Sequence, residues 1–117
     1  MFKKQNTGQL GENLACEYLI KNGYKILERN VHFSRACEID IIALDNNTLV
    51  FVEVKTRNSD RCGLPFEAIT AKKYNNIKTG LYTYLSQNQQ YKRSRIDAIS
   101  VMLKPEIKIE HLKNISI

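Results

Sequence analysis

The sequence predicts an α/β fold, a mixed β-sheet flanked by helices in the order αβββαββ. Three observations carry this. Residues 7–22 and 70–87 place apolar side chains at helical spacing. Residues 38–44 and 48–55 are strand-length runs rich in Ile, Val and Phe. Segments 24–31, 95–103 and 107–112 read as three further strands, and strands interleaved with helices imply a sheet covered by helices.

In helix 7–22, Thr7 is the expected N-cap and Gly23 the residue just past the end. Leu10, Leu14, Ala15, Tyr18 and Leu19 form its apolar stripe, and Glu12 falls on the border of that stripe. Asp45-Asn46-Asn47-Thr48 separates the two strongest strands as a hairpin turn, because Asn tolerates the positive φ such turns require. The second helix takes Thr70 as N-cap and turns Tyr74, Ile77, Leu81, Tyr84 and Leu85 to one side.

The 117 residues make one domain, 1–117. Hydrophobic residues are 43% and charged residues 26%, a globular balance that argues against disorder. No apolar run approaches the ~20 residues of a membrane helix, and no apolar stretch follows Lys3 and Lys4. The expectation is a soluble, cytoplasmic protein without a membrane partner. Cys16, Cys37 and Cys62 are widely spaced and form no CxxC, so they read as free thiols. Eighteen basic against 12 acidic residues give a net charge of +6, which favours an anionic partner, chiefly nucleic acid.

The hairpin carries charge where a central strand should be apolar. With Asn46-Asn47 as the loop, Leu44 faces Leu49, Ile42 faces Phe51, Asp40 faces Glu53 and Glu38 faces Lys55, all on one side of the sheet. The other side, Ile39, Ile41, Ala43, Val50, Val52 and Val54, is apolar throughout. Two carboxylates ~5 Å apart repel by about 3 kcal/mol at an effective dielectric near 20. A divalent cation between them reverses that sign, and carboxylates are the hard ligands Mg²⁺ and Mn²⁺ prefer. Lys55, two residues beyond Glu53, brings a positive charge to the same place, where it could orient a water or stabilise charge on a phosphate. The combination suits hydrolysis of a phosphodiester. A solvated ion-pair cluster at a sheet end is the plainer alternative.

These residues resemble the YraN family of small bacterial proteins, within the PD-(D/E)xK nuclease superfamily that also holds archaeal Holliday-junction resolvases. The resemblance rests on Gly8-x-x-Gly11-Glu12, Ala15, Tyr18-Leu19, Gly23-Tyr24 and Arg29-Asn30. It continues through Glu38-Ile39-Asp40-Ile41-Ile42-Ala43 and Val50-Phe51-Val52-Glu53-Val54-Lys55-Thr56-Arg57, then Gly63, Pro65, Glu67-Ala68, Lys73 and Arg95-x-Asp97. It implies a restriction-endonuclease-like fold. It also implies that Asp40 is the motif aspartate, that Glu53 and Lys55 are its ExK, and that Glu12 is the helix-1 glutamate approaching the metal. Ile39 stands where the superfamily has proline, Cys37 where the family often has glycine, and Ile96 where it usually has phenylalanine.

The resulting expectation is a metal-dependent endonuclease acting on DNA, branched DNA included. Asp40, Glu53 and Glu12 would hold Mg²⁺ or Mn²⁺, Glu12, Asp40, Glu53 and Lys55 would be catalytic, and a homodimer is implied by the resolvase relatives. Setting Glu12, Glu38, Asp40 and Glu53 aside leaves 18 basic residues against 8 acidic ones. Arg57, Arg61, Lys72 and Lys73 lie nearest the proposed site and would contact the nucleic-acid backbone, DNA before RNA. A nucleic-acid-binding module without chemistry is the alternative function. Tyr82, Tyr84 and Tyr91 are available to stack on bases, although helical spacing favours packing for the first two. His32 and His111 have no partner at ligand spacing.

Overall fold

The computed structural model describes residues 6–58 and 69–116. Its elements are α1 (Thr7–Lys21), β1 (Lys25–Ser34), β2 (Cys37–Asp45), β3 (Thr48–Arg57), α2 (Ala71–Gln87), β4 (Arg93–Met102) and β5 (Lys108–Leu112), the expected αβββαββ order. One sheet runs β1-β2-β3-β4-β5. The first three strands form an antiparallel meander, β4 pairs parallel to β3, and β5 returns antiparallel. A parallel neighbour requires a crossover, and α2 supplies it.

Each face of the sheet is buried under one helix. Ala15, Cys16 and Leu19 of α1 pack on Ile41, Ala43, Val50, Val52, Ile99 and Val101. Ile77 and Leu81 of α2 pack on Ile39, Ile42, Leu49, Phe51 and Ile96. The β2–β3 hairpin is central, as its two apolar faces require. Tyr84 and Tyr91 stack on each other, and Tyr84 meets Phe33 and Phe51 edge-on, so both are packing residues, whereas Tyr82 is exposed. Cys16 and Cys37 are buried free thiols; Cys62 lies outside the described residues. Among the described residues no helix is long and apolar enough to cross a membrane.

Two local expectations are corrected. The N-cap of α1 is Asn6, whose side chain accepts the Gln9 N–H, and Thr7 is already helical. The buried stripe of α1 is Gly11, Glu12, Ala15, Cys16 and Leu19, while Leu10 is exposed. The shift follows from Gly11: a Cβ there would lie 1.8 Å from Oγ1 of Thr56. The missing side chain lets α1 settle directly on β3 and turns the next residue, Glu12, inward.

The far end of the sheet is tied by a buried polar network that spacing alone does not reveal. Asp97, fully buried, accepts from Nε of Arg95 at 2.9 Å, from the Asn114 N–H at 2.9 Å, and lies 2.8 Å from Nε2 of His111. Nδ1 of His111 meets the Tyr18 hydroxyl at 3.0 Å, and Arg95 reaches Asp45 and Tyr24. Burial alone would raise the Asp97 carboxyl, but the hydrogen bonds from His111, Arg95 and the Asn114 amide hold it below the usual range.

Gly11→Ala should lose about 1–3 kcal/mol in urea unfolding by overpacking, and adding Thr56→Ala should recover part of it; an unchanged Gly11→Ala midpoint would contradict the close contact. Asp97→Ala, which strands Arg95 and His111, should cost about 3–5 kcal/mol, with a thermal melt within error of wild type as the contrary result.

Candidate active site

The expected register holds from Asp45↔Thr48 through Ile41↔Val52 and then stops. In an uninterrupted ladder the Val54 N–H would bond the backbone of Ile39. Instead Oδ2 of Asp40 accepts it at 2.8 Å. The expected direct pairs Asp40–Glu53 and Glu38–Lys55 are therefore not ladder pairs. A backbone distortion, in unbroken register, faces it across β2. Asn30, between the pairs Arg29↔Ile41 and Val31↔Ile39, has φ +53°. Asparagine tolerates this left-handed geometry better than most residues. The side-chain alternation reverses at this level: Ile41 packs under α1, but Ile39 and Cys37 pack under α2. That corrects the expectation that Ile39 shares a face with Ile41.

At this level lies a cavity of about 390 Å³ lined by Glu12, Asn30, Glu38, Asp40, Lys55 and Lys73, with Thr7, Gly8, Val54 and Thr56. A larger cavity of about 760 Å³ lies at the opposite, hairpin end of β2 and β3, where Asp45 is its one carboxylate and already pairs with Arg95. Glu12 is buried, and its Oε1 accepts from Nε of Arg29 and Nδ2 of Asn30, each at 3.0 Å. Glu53 is buried on β3, and its Oε1 is in ion-pair contact with the ammonium of Lys73. Oε2 of Glu53 is buried with no hydrogen-bond partner among the described residues. Lys55 is exposed on the cavity wall.

Burial pushes both central carboxylates up. Asp40 reaches about 7 through desolvation and the neighbouring Glu53 charge, against the bond from Val54. Glu53 is also raised by desolvation, with Lys73 opposing. Among the described residues, no three of His, Cys, Asp and Glu stand close enough to form a metal-ligating group. Asp40 and Glu53 are brought together, while Glu12 lines the same cavity with its carboxylate already engaged.

The basic residues separate by place. Lys72 and Lys73 are exposed in the first turn of α2, whose N-cap Thr70 accepts the Lys73 N–H at 3.1 Å. Arg57 is only 7% exposed, so its guanidinium is not presented as a surface contact. Arg61 lies outside the described residues. Sequence reasoning gave no role to Asn30 or Arg29, which hold Glu12, and did not pair Lys73 with Glu53. The one available signal was an asparagine inside a strand, where that residue is depleted.

Both raised carboxyls bind more protons in the folded than in the unfolded chain. With chelator present, stability should therefore fall as pH rises from about 4 towards 7, the window between the ordinary value of 3.8 and the folded value of Asp40. Asp40→Asn should flatten that slope and be more stable than wild type at pH 8; identical pH profiles in denaturant unfolding would contradict the desolvation of the carboxylate pair.

Comparison with known proteins agrees with this architecture. A chain from Trichlorobacter lovleyi is 45% identical over 114 residues, covering 94% of this chain and 89% of the relative. Another from Syntrophomonas wolfei is 42% identical, covering 92% and 94%. The Holliday junction resolvase Hjc of Archaeoglobus fulgidus is similar in structure, with a TM-score of 0.55 and 21% identity over 87% of this chain and 72% of that one. The restriction-endonuclease-like arrangement expected from the motifs is thus the observed fold. Residues 11–101 match the family described as "Uncharacterised protein family UPF0102", and the chain belongs to that family.

Proposed function

We propose that this protein is a divalent-metal-dependent endonuclease that hydrolyses DNA phosphodiesters, branched DNA included. The observation that carries the reading is the pair of half-buried Asp40 and buried Glu53 where the β2–β3 ladder stops, both raised in pKa, beside a cavity lined by two lysines. Structural positions that break local rules at a cost to stability are characteristic of functional sites. The name of the structurally similar resolvase supports a nucleic-acid substrate.

The residues fit a hard divalent cation. Asp40 and Glu53 would hold it, and the partnerless Oε2 of Glu53 is an oxygen such an ion would satisfy. When bound, the ion supplies Lewis-acid polarisation of the phosphate and activation of water. Lys55, exposed on the cavity wall, holds the attacking water in place and offsets charge developing on the phosphate. Glu12 is fixed by Arg29 and Asn30, so it supports the site at a constant position and accepts a proton or water from the cavity side. Lys72 and Lys73 contact the backbone of the substrate, which enters over the first turn of α2. A homodimer would present two such sites to a branched substrate.

One observation favours the second reading, a binding module without chemistry: Glu12 and Glu53 already have cationic partners, and no three carboxylates converge among the described residues. Cleavage assays separate the two. Four-way-junction, single-stranded and duplex DNA are incubated with Mg²⁺, Mn²⁺ or chelator. The nuclease reading expects metal-dependent cutting that Glu53→Gln or Asp40→Asn abolishes and that Lys55→Met slows by about 10²–10⁴-fold with DNA binding retained. Salt-sensitive DNA binding with no cutting under any metal condition would overturn catalysis in favour of the module.

A further inference from the structure

Building on the carboxylate site of the preceding reading, we propose that Lys73 is a resident counter-cation: its ammonium holds Glu53 while no metal is bound, and a divalent cation enters by displacing it. The two partners differ sharply in freedom. The Glu53 side chain is 8% exposed and fixed on a central strand, whereas the Lys73 side chain is 45% exposed in the first turn of a helix. The backbone of Lys73 is pinned, because its N–H bonds the Thr70 hydroxyl. Displacement therefore needs only a rotation of the flexible four-carbon stem, which already borders the cavity and open solvent.

The ammonium is also an incomplete partner. It serves Oε1 of Glu53 and leaves Oε2 without a hydrogen bond among the described residues. One ammonium is in contact with Glu53, whose carboxylate has that of Asp40 as a neighbour, and Asp40 itself accepts from the Val54 N–H. A divalent ion supplies the charge that a lysine cannot. Once released, the ammonium remains on the wall beside Lys55, in position for a phosphate. The lysine would thus guard the site when empty and face the substrate when the site is filled. A closed form that must open first weakens apparent affinity by the fraction that is open.

Isothermal titration with Mn²⁺ alone tests this on metal-stripped protein, comparing wild type with Lys73→Met, Lys73→Gln and Asp40→Asn. Both Lys73 variants should bind Mn²⁺ about tenfold more tightly than wild type. Their melting temperatures should fall in chelator and rise further than that of wild type on adding Mn²⁺. Lys73→Gln keeps a neutral donor towards Glu53 and serves if Lys73→Met does not fold. Binding to wild type that Asp40→Asn removes but that neither Lys73 variant tightens would overturn the counter-cation and leave the metal site standing. Absence of Mn²⁺ binding from wild type and both Lys73 variants would overturn both proposals. Binding by the Lys73 variants alone would support the displacement in its strongest form.

Discussion

The Val54 N–H belongs by register to the backbone of β2, and it is taken instead by the carboxylate of Asp40. The charged end of the molecule depends on that exchange. It keeps a donor satisfied inside the sheet, so the strands can part without leaving an orphaned amide. It draws Asp40 towards β3 and its neighbour Glu53. It also ends the pairing of β2 with β3 at the point where the cavity begins. The left-handed Asn30 on the other side of β2 completes the distortion and uses its amide to hold Glu12. Two local departures from strand geometry thereby bring Asp40 beside Glu53 and leave Glu12 on the wall of the same cavity.

The same arrangement explains the electrostatics. Desolvation is the largest influence on Asp40 and on Glu53, ahead of any neighbouring charge. The carboxylates are costly because the central hairpin is apolar on both faces, and only its end is charged. Compensation comes from outside the hairpin: Lys73 from α2 for Glu53, and Arg29 from β1 for Glu12. The helices thus do more than cover the sheet, since each brings a charged residue to the same opening.

Much of this was legible in the residues. The element order, the turn at Asn46-Asn47 and the central place of the hairpin follow from apolar patterning and asparagine chemistry, and Asn46 does take φ +54°. That Asp40 and Glu53 meet was readable from period-two alternation near the turn. The manner of their meeting was not, because alternation assumes an unbroken ladder and a bulge is a contest between side chain and backbone for one hydrogen bond. Ile39 was assigned to the wrong face for that reason. The burial of Arg57 was not legible either, since a charged residue at a strand end is ordinarily solvated. The pairing of His111 with Asp97 was not legible, because no local pattern marks a contact between residues 14 apart on two strands.

That distant network has a consequence for the order of assembly. Asp97 is fully buried on β4, yet two of its partners, His111 and the amide of Asn114, lie 14 and 17 residues further along the chain. The following amide, Ile115, also returns to the carbonyl of Ile96. Until residues 111–115 have packed, the strands can assemble only around an anion that Arg95 alone accompanies. The buried anion is therefore fully compensated only once the segment following β5 has folded back against β4.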